Sequence, residues 1–170
     1  FWSGIDTIGQ AAAGEVNVIN GGTLASSRPL FLGFATGASG LLRVDGANGP
    51  SRAQILGNGF VVLGTDGTGR IELLNGGQMS VNNEQLYVGD RGNASLLISG
   101  AGSSLTLPFQ LRLAENAPSV ATATVQAGGS ITAQGVEIGQ RGQATLIVKD
   151  AGSQVVTNFS GIGLNGNGTL

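Results

Sequence analysis

Leu86-Tyr87-Val88-Gly89-Asp90-Arg91-Gly92-Asn93-Ala94-Ser95-Leu96-Leu97-Ile98-Ser99-Gly100-Ala101-Gly102-Ser103-Ser104-Leu105 reads as a short alternating strand, a glycine turn, a second alternating strand, a second glycine turn and the start of a third. Alone, it would suit a small antiparallel sheet. The same pattern, however, returns along the whole chain. Its apolar-x-apolar-Gly opening recurs as Leu30-Phe31-Leu32-Gly33, Val61-Val62-Leu63-Gly64, Leu111-Arg112-Leu113-Ala114, Val136-Glu137-Ile138-Gly139 and Ile162-Gly163-Leu164-Asn165. Ile8-Gly9 reads as a truncated first copy. From Gly9 the last residue of this signature recurs at 33, 64, 89, 114, 139 and 165, in steps of 24, 31, 25, 25, 25 and 26. A fixed period in this range is the mark of a repeat architecture.

Two further strands fit inside each period. One follows the first turn at Val16-Asn17-Val18, Leu42-Arg43-Val44, Ile71-Glu72-Leu73, Leu96-Leu97-Ile98, Ala123-Thr124-Val125 and Leu146-Ile147-Val148. The other follows a Gly-Gly or Ala-Gly-Ser corner and starts at Leu24, Met79, Leu105, Ile131 and Val155. Glycine suits such corners, where a sharp bend requires positive φ. Three short strands per period, in register, predict an all-β parallel β-helix in which each period of about 25 residues is one coil. Equivalent strands then stack about 4.8 Å apart, which gives a rod on the order of 30 Å long. The alternative, a β-sandwich, should show antiparallel turn signals and no constant step.

Outward positions follow from the same register. The signature strands present Phe31, Val62, Tyr87, Arg112 and Glu137, with Phe60 on the same face as Val62. That predicts an exposed apolar stripe in adjacent coils, next to an Arg112–Glu137 pair. Contiguous apolar patches of this kind mark interaction sites. On the second strands Asn17, Arg43, Glu72, Leu97, Thr124 and Ile147 point out, and Arg43 should meet Glu72 as a solvent-facing pair. The long step between Gly33 and Gly64 places an insertion in or near Gly46–Ala53, and insertions in solenoids project as loops. The candidate contact surface is therefore Phe31, Phe60, Val62 and Tyr87, with Asn48 and Arg52 of that loop nearby in sequence.

Composition narrows the function classes. The chain has 170 residues with 8 Lys+Arg against 10 Asp+Glu, too little positive charge for a nucleic-acid partner. No apolar run is long enough for a membrane span. Histidine and cysteine are absent, which removes Ser-His-Asp and Cys-His constellations and the usual zinc sites. Asp66-Gly67 and Asp90-Arg91-Gly92 lack the iterated glycine pattern of calcium β-rolls and read as turns. The carboxylates fall in different coils, and no two share a ladder position in adjacent coils. Neither cofactor nor metal nor catalytic residue is expected, and the chain is expected not to be an enzyme. Phe1–Ala13, with the sole Trp2, should complete a preceding coil, and the mid-repeat end at Leu170 suggests one β-helical piece, 1–170, of a longer rod.

Gly89-Asp90-Arg91-Gly92-Asn93-Ala94-Ser95-Leu96-Leu97-Ile98-Ser99-Gly100-Ala101-Gly102-Ser103 and its copy from Gly139 to Ser153 resemble the degenerate repeats of autotransporter passenger domains of the AIDA and antigen-43 kind. Those follow the loose pattern (I/V)-G-x-x-G-x-(A/G)-x-L-x-(V/I)-x-x-A-G-S. The resemblance covers about residues 9–170. It implies a right-handed parallel β-helix on the surface of a Gram-negative bacterium, or secreted, and exported across the outer membrane through a C-terminal β-barrel outside this stretch. It also implies adhesion, self-aggregation or biofilm formation, with another copy of the chain, a host matrix protein or a glycan as partner. A passive stalk that presents another domain is the alternative. A polysaccharide-active enzyme is a third reading, since the fold alone permits one.

Overall fold

The computed structural model describes residues 4–57 and 59–170, so the expectation for Trp2 lies outside the described residues. These residues form strands and turns and no helix, and the strands are parallel throughout. The chain is a parallel β-helix of about seven coils.

First strands are Asp6–Ile8, Leu30–Leu32, Val61–Leu63, Leu86–Val88 and Gln110–Leu113. Second strands are Ala13–Val18, Ser39–Asp45, Thr68–Leu74, Asn93–Ser99, Val120–Gln126, Gln143–Val148 and Asn167–Thr169. Third strands are Thr23–Ser26, Arg52–Ile55, Gln78–Val81 and Ser104–Thr106. The second strands build a seven-stranded sheet of their own. First and third strands belong to one sheet because Ser130–Ile138 runs without a break from a third strand into the next first strand. Gln154–Ile162 does the same one coil later. Ile8 is a full rung, paired with Leu32, where the sequence suggests a truncated one.

Inside, side chains stack coil on coil. Leu42, Ile71, Leu96, Ala123 and Leu146 form one buried ladder of the second sheet, and Val18, Val44, Leu73, Ile98 and Val125 another. Leu32, Leu63, Val88, Leu113 and Ile138 face them from the first strands. The third strands contribute Ala53, Met79, Leu105 and Ile131. Alternation with period two puts one face of every strand into this core, so a slip of one residue would expose the whole ladder.

Two corner devices hold the coils apart at a constant spacing. At the first corner the residue after the signature strand has positive φ in every described coil: Gly9, Gly33, Gly64, Gly89, Ala114, Gly139 and Gly163. The last copy lies two residues earlier than the sequence count places it, because Ile162 pairs with Ile138, so Gly163 and not Asn165 is its corner residue. At the second corner a serine of one coil caps the coil before it. The N–H of Gly21 donates to Ser51 Oγ at 3.2 Å, that of Gly76 to Ser103 Oγ at 2.9 Å, and that of Gly128 to Ser153 Oγ at 3.0 Å. Ser51 and Ser103 are fully buried. The serine of Ala-Gly-Ser is thus a structural ligand for a backbone donor that would otherwise be orphaned.

The long step between Gly33 and Gly64 is spread over three corners. Relative to the next coil, register puts two extra residues between Gly33 and Ser39, three between Asp45 and Arg52, and one between Ile55 and Val61. Only half of the insertion therefore lies where the sequence suggests.

Candidate functional site: an aromatic groove beside a carboxylate pair

The outward ladder of the first strands is Phe31, Val62, Tyr87, Arg112 and Glu137, as the period predicts. Phe60 joins it from the turn before its strand. Its ring meets Phe31 edge to face with centroids 5.6 Å apart and planes at 81°, and it meets Tyr87 at 6.5 Å and 87°. Phe34 extends the cluster, 5.4 Å from Phe31 and again perpendicular. Edge-to-face contacts are the favoured geometry for such pairs.

The stripe is a groove and not a fully exposed patch. Phe31, Phe60 and Tyr87 are half-buried, and Val62 is buried at 6% exposure. The Phe60 ring bridges Phe31 and Tyr87, the rungs on either side of Val62, and lines the same groove as that side chain. The groove has a volume of about 320 Å³ and is lined by Phe31, Phe60, Val62, Tyr87, Asp90, Glu115 and Asn116. Asn48 and Arg52 are not part of it. Asn48 is exposed at the second corner, and Arg52 opens a third strand, pairing with Thr23 and Gln78. Loop proximity in sequence does not survive the turn into another flank of the coil.

The carboxylates also depart from the sequence reading. Asp90 N–H donates to the Gly64 carbonyl and Glu115 N–H to the Gly89 carbonyl, so Asp90 and Glu115 hold the same ladder position in adjacent coils. The corner keeps its ladder hydrogen bonds beyond the signature glycine, and register therefore carries two carboxylates onto one edge of the groove. Asn116 Nδ2 donates to Asp90 Oδ1 at 2.7 Å, and Arg112 Nη1 donates to Glu115 Oε1 at 3.2 Å. Arg112 also lies 3.1 Å from Glu137 Oε2 and places its guanidinium 6.0 Å from the Tyr87 ring centroid. The Glu115 carboxyl is nonetheless pushed above the usual glutamate range, first by burial and then by Glu137, although Arg112 pulls the other way. Thr65, one rung before Asp90 in the same ladder, buries its hydroxyl with no hydrogen-bond partner. Among the described residues no group of three or more acidic, histidine or cysteine side chains is placed to hold a metal ion.

On the second sheet Arg43 and Glu72 meet across adjacent coils, Nε to Oε2 at 2.6 Å. The pair is not solvent-facing, since Glu72 is only 5% exposed. Arg70 closes over its other oxygen. Burial pushes this carboxyl upward, but the hydrogen bonds and charges of Arg43 and Arg70 outweigh it and hold it below the ordinary value of 4.5. A folded-state value below the unfolded one contributes stability above the unfolded value, and that contribution disappears as pH falls through the folded value. Glu72→Gln should therefore cost about 1–2 kcal/mol at pH 7, discounted for the half-exposed arginines. It should also remove the part of the acid-induced loss of melting temperature that begins below about pH 4.5. Glu115→Gln should behave oppositely: its raised value makes ionisation a cost to the fold, so melting temperature at pH 7 should hold or rise. Thermal melts of both variants from pH 3 to 8 check the pair of signs.

No family model matches the chain, and no solved structure matches it. Over 101 residues, 57% of its length, it is 37% identical to an uncharacterized protein, YuaQ, of Escherichia coli (strain K12). The match spans 7% of that relative.

Proposed function

We propose that the chain is a segment of an autotransporter passenger domain, displayed on or secreted from a bacterial surface, whose aromatic groove is a contact surface in adhesion, self-aggregation or biofilm formation. The observation that carries this reading is the convergence of Phe31, Phe60 and Tyr87 on one lateral face, ring to ring, across three consecutive coils. Aromatic side chains supply large contact area at small entropic cost and dominate interface energetics. On the second strands the outward ladder Asn17, Arg43, Glu72, Leu97, Thr124 and Ile147 is mixed and has no aromatic. The resemblance of the repeats to adhesin passengers supports the same reading, as does similarity to part of a much longer bacterial protein.

The stalk reading is favoured by one feature: the rings pack on one another and are half-buried, which also stiffens a rod. The two readings separate at the level of whole cells. Cells that display the full-length protein are expected to clump, or to adhere to matrix-coated or glycan-coated surfaces, several-fold more than cells from which it is deleted. Equal behaviour of the two would leave the stalk.

A further inference from the structure

We propose that the groove receives a cationic side chain, an arginine or lysine of a basic partner protein, and not a sugar ring. The inference names the partner chemistry of the proposed contact surface and rests on that reading.

The rings of the groove stand perpendicular to one another. A pyranose stacks on a flat aromatic face, and a chain of sugars needs coplanar faces in succession. Here Phe60 stands at 81° to Phe31 and 87° to Tyr87, so successive rungs offer a face, then an edge. Perpendicular rings suit a compact charge instead, because a cation is drawn to the negative face of any ring within about 6 Å. Arg112 already uses Tyr87 in this way at the far end of the groove.

The lining of the groove is dominated by acceptors. Apart from the Tyr87 phenol, the polar groups lining the groove are Asp90, Glu115 and Asn116. Carboxylates only accept. One of the two Asn116 amide N–H groups is given to Asp90, and the amide oxygen accepts from Arg141 Nη1 at 3.0 Å, which leaves one amide N–H as the only side-chain donor of the lining besides the Tyr87 phenol. A ligand with many hydroxyls would meet few donors. Ammonium and guanidinium groups, which only donate, match this lining.

Two carboxylates line the groove and no Lys or Arg does. The resident cations are shared: Arg112 is divided between Glu115 and Glu137, and Arg91, bound to Asp66, also lies 3.4 Å from Asp90 Oδ2. Burial is the first cause that pushes the Glu115 carboxyl upward, and Glu137 adds to it against the pull of Arg112. The chain as a whole is acidic, with a net charge of −2. Asp66, Asp90, Glu115 and Glu137 share Arg91, Arg112 and Arg141, and entry of a further cation between Asp90, Glu115 and the ring faces of Phe60 and Tyr87 would complete the neutralisation.

Tyr87 is the only tyrosine, so its ring resonances report on the groove without ambiguity. The test is an NMR titration of the 170-residue chain with tri-arginine amide, tri-lysine amide, tri-glutamate and cellotriose. The two cationic peptides are expected to shift the Tyr87 resonances saturably, and raising salt from 20 to about 300 mM should weaken them. The isosteric double variant Asp90→Asn, Glu115→Gln should bind at least tenfold more weakly with its circular dichroism unchanged. Saturable shifts with cellotriose alone, shifts with none of the four, or equal affinity in the double variant would each overturn the proposal. If full-length protein on cells needs Phe31, Phe60 and Tyr87 for adherence while the groove ignores both cations, the partner chemistry is refuted and the adhesin reading stands. If adherence is indifferent to those rings as well, both fall.

Discussion

Ile98→Asp is expected to remove most of the stability of the chain. Ile98 is fully buried in the central rung of the Val44, Leu73, Ile98, Val125 ladder, with aliphatic neighbours above and below. A carboxylate there has no partner, and burying a charge without one costs about 4 kcal/mol or more. A domain of this size holds only about 5–15 kcal/mol in total. The position is also central in the stack, where each coil is stabilised only by its neighbours, so both flanking interfaces are damaged together. The control is the adjacent outward residue. An Asp at Leu97 would pair in register with buried Glu72, where like charges repel, so Leu97→Thr is the cleaner comparison. Threonine already occupies the next rung at Thr124. Urea unfolding followed by circular dichroism should place Leu97→Thr within about 1 kcal/mol of the parent. Similar damage from both changes would mean that the inward and outward registers are misassigned.

Gly33→Val should be nearly as severe, for a different reason. Gly33 has φ of 68°, and a Cβ built there would lie 2.1 Å from the carbonyl oxygen of Thr68 in the next coil. Backbone strain for a side chain in this region is about 1–2 kcal/mol, and the clash is with main chain that cannot swing away. A loss of about 3 kcal/mol or more is expected. Gly37 separates the two causes. It has φ of 79° but open space around its Cβ position, so Gly37→Ala should show strain alone, about 1 kcal/mol. If both changes cost the same, close approach of the coils is not what selects glycine at the signature position.

The coils and both inward ladders were legible because in a solenoid the period of the sequence is the period in space. The outward ladder from Phe31 to Glu137, and the Arg43–Glu72 pair, follow from the same counting. What the count could not give is cover. Val62 points outward by register yet is buried, between rungs whose Phe31 and Tyr87 rings are bridged by Phe60 from a turn. Glu72 points outward and is buried because two arginines, one on its own strand and one a coil away, fold across it. Phe34 and the Asp90–Glu115 pair lie past the strand ends, where the sequence reads only a turn and the chain still keeps its ladder bonds. Asn48 and Arg52 are near the stripe in sequence, but a coil converts that distance into a different flank. The merger of third and first strands in Ser130–Ile138 is hidden for the same kind of reason: Ala133-Gln134-Gly135 has a corner's composition but stays extended and paired.

The most direct test of the functional account is adherence by cells that display full-length protein carrying Phe31→Ser, Phe60→Ser and Tyr87→Ser together. Surface display should be verified by antibody, and the fold of the isolated variant by its β-sheet circular dichroism. The account predicts that clumping and surface adherence fall to the level of cells lacking the protein, with display and fold intact. Undiminished adherence by correctly displayed, folded variant would contradict it and leave the aromatic ladder as packing that stiffens a stalk.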